Sequence, residues 1–147
     1  MISLKELQDT WAEDCKIDEL NLGRVATQVP VLHSKYLNHL STAKLQLRKA
    51  EAALYKLKRI KTQYFRGELS KFELESLGWD QYLGNKPLKQ DMNDYLESDE
   101  DIIQQTDKAE YIRTVTDFLE RVLRSVGSRG WDIKNSIEWS KFTNGLM

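Results

Sequence analysis

Cysteine is almost absent: Cys15 is the single thiol in 147 residues, which excludes an intrachain disulfide and any paired-thiolate metal site. On its own it reads as a small apolar residue on a helix face. Proline is nearly as scarce, with only Pro30 and Pro87 to interrupt a helix. Uncharged runs are far too short to span a bilayer, and Met1-Ile2-Ser3-Leu4-Lys5-Glu6 has no apolar signal core. A soluble, intracellular protein with no membrane partner is expected. Glycine loops that cradle phosphates are missing too, since neither Gly-x-x-x-x-Gly-Lys-Ser/Thr nor Gly-x-Gly-x-x-Gly occurs. His33 and His39 fall on different helix faces, without a cysteine or carboxylate at ligand spacing. Asp99-Glu100-Asp101 lacks the alternating oxygens and the glycine of a calcium loop. With no Ser/His/Asp grouping either, no metal, cofactor or enzymatic activity is expected.

What remains is charge and helical periodicity. Charged residues make up 31% of the chain and aromatics 10%, the mix of a helical protein about one domain long. Ser3-Leu4-Lys5-Glu6 is a capping box for a helix ending near Asp14. Asp18 is placed to cap a second short helix, which Pro30 is expected to break or kink. From Val31 or Ser34 to Phe65, the stripe Leu40, Ala43, Leu47, Ala50, Leu54, Leu57 and Tyr64 predicts a helix roughly 48 Å long, stopped by Gly67. Residues 68–100 predict a loop or short helical turns, with Trp79 and Tyr82 as anchors. Ser98 is expected to cap a helix that opens on acids and runs to Val126 along Ile112, Val115, Leu119 and Val122. Gly127-Ser128-Arg129-Gly130 then predicts an interruption before a last helix with Ile133, Ile137, Phe142 and Leu146. Trp131, Trp139 and Phe142 exceed what a terminal hairpin buries alone, which points to self-association. The fold class is therefore all-α, with one long basic helix and a C-terminal helix-Gly-helix.

Charge is sorted along the chain. Residues 33–67 hold nine Lys/Arg and one acid, Glu51, whereas residues 68–112 hold four Lys/Arg and twelve Asp/Glu. A solvated helix face normally alternates Glu with Lys at four-residue spacing; nine cations with one acid call for an outside anion. At 100° per residue, Lys44, Arg48, Arg59 and Arg66 lie within about 60° of one another, with Lys58 nearby. The same count sets Lys61 near the apolar seam. Tyr55, Tyr64 and Phe65 are interleaved with these cations, and backbone charge plus ring faces suits single-stranded nucleic acid. No helix-turn-helix, zinc finger or basic zipper is present to read a duplex. The alternative is a structural adaptor whose basic helix docks onto an acidic protein.

Four stretches carry a family resemblance. They are Leu4-Lys5-Glu6-Leu7-Gln8 with Ile17-Asp18; Leu32-His33-Ser34-Lys35-Tyr36-Leu37-Asn38; Leu57-Lys58-Arg59-Ile60-Lys61 leading to Tyr64-Phe65-Arg66-Gly67; and Ser128-Arg129-Gly130-Trp131-Asp132-Ile133-Lys134. In order and spacing the chain resembles the UvsY family, the recombination mediators of T-even-type bacteriophages. The resemblance implies a protein of the infected bacterial cytoplasm, active in phage recombination, repair and replication. Such mediators bind single-stranded DNA coated by single-strand-binding protein, load a RecA-like recombinase of the UvsX type without hydrolysing ATP, and form homo-oligomeric rings of about six or seven subunits. Matching the family's Leu-Lys-Ala-Arg-Leu motif back from Tyr64 selects Arg59 and Lys61, and a one-residue shift selects Lys58. The DNA-binding residues expected are thus Lys44, Arg48, Lys58, Arg59, Lys61, Tyr64 and Arg66. Residues 1–97 are expected to hold the DNA-binding helix and an irregular acidic connection, and residues 98–147 to direct oligomerisation.

Overall fold

In a computed structural model, residues 2–145 are described, and every regular element among them is helical. Helix α1 spans Leu4–Asp14, a single 3-10 turn Glu19–Asn21, α2 Leu22–Phe65, α3 Lys71–Leu77, α4 Met92–Glu97 and α5 Glu100–Thr143. The chain divides into two compact units, Met1–Leu45 with Ile112–Met147 and Gln46–Tyr111. This differs from a split at residue 97/98 because α5 serves both units: Ile102 belongs to the core of the second and Val115 to the core of the first.

The first unit is closed by the seam that the periodicity identifies. Tyr36, Leu40 and Ala43 of α2 meet Val115, Leu119, Val122 and Val126 of α5, and Leu7 of α1 covers them. Each Leu or Val among them contributes about 1.5–3 kcal/mol when fully buried. Helix α1 begins at the expected capping box, the Ser3 hydroxyl accepting from the Glu6 N–H at 3.2 Å. Its far end is held by Arg129, whose buried guanidinium donates to the carbonyls of Asp14 and Lys16, both at 2.9 Å. The Asp14 carboxylate accepts from Lys35 at 2.6 Å and from the Tyr36 hydroxyl at 2.8 Å. Burial raises its pKa, but these two donors outweigh it and hold the carboxyl below its ordinary value. Cys15, expected on a helix face, instead ends α1 and is exposed.

Three expected boundaries are corrected. Asp18 caps only the 3-10 turn, accepting from the Leu20 N–H at 3.0 Å, and α2 then runs through Pro30 without ending. The missing N–H leaves just the exposed Ala26 carbonyl without its helical donor, a group water can satisfy, while Val29 and Leu32 pack on the core either side of the proline. Helix α5 likewise continues through Gly127 and Gly130, neither of which has a positive φ. The burial of Val126, Arg129 and Ile133 along one face holds the helix together where propensity alone predicts a break. A helix-Gly-helix is therefore not what the chain forms. At the start of α5 the cap is Asp99, whose carboxylate accepts from the Ile102 N–H at 3.2 Å; the Ser98 hydroxyl donates back to the Asp94 carbonyl at 2.7 Å and closes α4 instead. Leu146, expected in the last helix, lies outside the described residues.

Candidate nucleic-acid interface

In the second unit, Phe65, Met92, Leu96 and Ile102 form the buried core, and Leu54, Leu57, Tyr64 and Tyr82 pack against it. Helix α2 stops where expected. Gly67 takes a φ of 71°, its N–H bonds the Tyr64 carbonyl at 3.0 Å, and the Glu68 N–H bonds the Gln63 carbonyl at 3.0 Å. The next helix, α3, starts at a second capping box, Ser70 with Glu73, and ends on Gly78 in the left-handed region. Trp79 and Tyr82 anchor the connection as expected: Trp79 meets Tyr64 edge-on at 5.4 Å, and Tyr82 meets Phe65 edge-on at 5.2 Å.

With Leu54, Leu57, Tyr64 and Phe65 committed to the core, the opposite side of this end of α2 faces water. Arg48, Lys49, Lys56, Lys58, Arg59 and Arg66 are all exposed. Among the described residues none of the six forms an ion pair. Arg48, Tyr55, Arg59 and Arg66 share a strip about 40° wide and about 27 Å long. Tyr55 is 74% exposed, a ring open to stacking with an arginine one turn further on. Beside the strip, Lys56, Arg59, Ile60 and Gln63 line a shallow groove. The strip presents bidentate phosphate donors around an aromatic face.

The remaining expected contacts are placed differently. Lys44 belongs to the first unit, where it meets Glu120 at 3.6 Å with both side chains well exposed, a weak pair. Lys61, two residues from Arg59, is only 6% exposed. Its ammonium contacts Asp99 at 3.1 Å and Asp101 at 2.9 Å, and sits 4.2 Å from the centre of the Trp79 ring. Burial alone depresses a lysine pKa, but hydrogen bonds to Asp101 and Asp99 outweigh it and raise this one above the ordinary lysine value. Tyr64 is half-buried among three aromatic rings, and its hydroxyl donates to the Asp80 carbonyl at 2.7 Å. Angular position correctly set Lys61 beside the seam. Tyr55, one of the rings interleaved with the cations in the sequence but outside the expected DNA-binding residues, sits in the centre of the arginine strip. The Lys61 partners lie 38 and 40 residues further on, with no local signal to link them.

Among the described residues no group of His, Cys, Asp and Glu is arranged to hold a metal, and no helix is long and apolar enough to cross a membrane. Residues 10–146 match a family model described as the recombination, repair and ssDNA-binding protein UvsY. The recombination protein uvsY of Enterobacteria phage T4 is 27% identical over 144 residues, which cover 97% of this chain and 98% of that protein. Crystal structures of the bacteriophage T4 recombination mediator protein UvsY share the fold. One lattice form gives a TM-score of 0.85 at 24% identity over 98% of this chain and 99% of that one. Another gives 0.83 at 25% identity over 94% and 98%.

Proposed function

The chain belongs to the UvsY family of recombination, repair and single-stranded-DNA-binding proteins, and we propose that it is a recombination mediator gripping single-stranded DNA with the outer face of α2. The observation that carries this reading is the row of exposed cations from Arg48 to Arg66, without ion-pair partners among the described residues and with Tyr55 in its midst. Arg48, Lys58, Arg59 and Arg66 contact phosphates, and Tyr55 stacks on a base. Lys61 and Tyr64 act through position: they fix the end of α2 against the Asp99 and Trp79 segments rather than meeting DNA themselves. The protein then loads a RecA-like recombinase of the UvsX type onto DNA coated with single-strand-binding protein, working by binding and assembly with no covalent chemistry, in the cytoplasm of the infected host.

A few phosphate contacts per subunit bind weakly and lose affinity steeply with salt. A ring of about six or seven subunits repeats the strip, and effective concentration multiplies the contacts. Trp131, Trp139 and Phe142, at 68%, 66% and 59% exposed, supply apolar surface for the ring contact. Exchanging Trp139 and Phe142 for Ser tests this part: light scattering should report a lower mass, and an unchanged mass would remove the tail from the interface. For the DNA contact, Arg59→Ala with Arg66→Ala should weaken retention of an oligothymidylate in a mobility-shift assay while leaving the mass intact. A wild-type chain that retains no oligonucleotide even at low salt would favour the adaptor with an acidic protein partner instead.

A further inference from the structure

The second unit has a cavity of about 560 Å³ bordered by the end of α2, α3 and residues 79–82. Three of its walls are rings, Tyr64, Trp79 and Tyr82, and its charged lining is Glu75, Asp80 and Lys71. A pocket of this size with aromatic walls falls in the range of clefts that take a ligand group. The electrostatics decide which group. Neither the Glu75 nor the Asp80 carboxylate has an ion-pair partner among the described residues, and together they outnumber the one lining cation, Lys71. The negative end of α2 meets the cavity at Gly67, adding to the same sign of potential. Aromatic faces attract cations as well, and these rings already hold one: the Lys61 ammonium lies 4.2 Å from the Trp79 centroid and 5.6 Å from that of Tyr64. Lys61 does not spoil the site for a second cation, because Asp99 and Asp101 match its charge. A nucleic-acid phosphate or a base on its backbone is disfavoured by those same carboxylates.

We propose that this cavity receives a lysine or arginine side chain from a basic segment of a partner protein. Phe72 and Leu83, next in sequence to the lining residues Lys71 and Tyr82, are 77% and 88% exposed. Both are apolar groups open to the segment that carries the inserted cation. The assignment stands on the chemistry of the cavity and does not require α2 to contact DNA.

The test is fluorescence anisotropy of a labelled octapeptide of alternating Arg and Leu, titrated with the full chain, with a Glu-for-Arg peptide as control. Glu75→Gln combined with Asp80→Asn should weaken binding of the basic peptide about ten-fold, while Asp94→Asn with Glu97→Gln removes the same charge outside the cavity and should change it less than about two-fold. Tyr82→Leu keeps the charges and removes a ring, and should cost about three-fold; circular dichroism checks that each variant is folded. Equal loss in both charge-removed pairs would reduce the site to general acidity and overturn the proposal. So would an unaffected Tyr82→Leu, or a wild-type chain that prefers the acidic peptide. If Glu75→Gln with Asp80→Asn instead lowers the mass of the assembly, the occupant is a second copy of this chain and the partner-protein assignment fails.

Discussion

Arg59 and Lys61 are two residues apart on one helix, carry the same charge, and occupy opposite worlds. On the outer face of α2, Arg48, Lys58 and Arg59, with Arg66 just past its end, are exposed and form no ion pair among the described residues. The inner face buries Lys61 between two aspartates and a tryptophan. A 200° turn separates them, and it divides the labour: the outer cations are available to an outside anion, whereas Lys61 is spent on the fold. A basic run is therefore not one site. Each cation has to be judged by its angle and its partners.

The largest expected effect is on the inner face. Lys61→Ala leaves the 14%-exposed Asp99 side chain facing a gap without its cation, and removing one partner of a buried pair costs about 3 kcal/mol or more. Urea unfolding measures it; a chain of undiminished stability would mean that the clamp is incidental. Next is Tyr55→Ala on the outer face, which should weaken oligonucleotide binding by about 1–3 kcal/mol through lost stacking yet leave unfolding within about 0.5 kcal/mol. Tyr55→Phe should bind as the wild type does, since the stacking face is kept.

A smaller effect comes from charge alone. Arg66→Gln should flatten the salt dependence of binding by about 0.7 in the log–log slope, the share of one single-strand phosphate, with no change in unfolding. The smallest is in pH. The Lys61 pKa is raised on folding, so its contribution to stability is complete below the unfolded value of about 10.4 and is lost as pH rises through the higher folded value. Arginines titrate above that range. Stability measured from pH 7 to 9 should therefore be flat at this site, and a marked fall would mean that Lys61 is not held as its contacts imply.

Much of this was legible in the sequence, because α2 and α5 are long and strongly periodic. The seam from Val115 to Val126, the stop at Gly67, the Ser3 cap and the anchoring by Trp79 and Tyr82 all follow from local pattern. Structure and local pattern part where tertiary packing overrides local preference. Pro30, Gly127 and Gly130 read as breaks, but burial on both sides of each carries the helix through. Ser98 and Asp99 are equally good caps by residue type, and the choice is made by Lys61, which draws Asp99 into the core. The Lys61 clamp joins residues 38 positions apart, a pairing that no spacing rule reveals. The capping box Ser70-Lys71-Phe72-Glu73 is legible in the sequence and starts α3 inside the stretch of least regular pattern.

The most direct test is the salt dependence of oligothymidylate binding for the wild type, Arg59→Gln and Lys61→Gln, measured side by side on folded protein. Arg59→Gln should have a log–log slope shallower by about 0.7 and Lys61→Gln the wild-type slope. A shallower slope for Lys61→Gln, with that of Arg59→Gln unchanged, would contradict the division of α2 into a DNA face and a structural face.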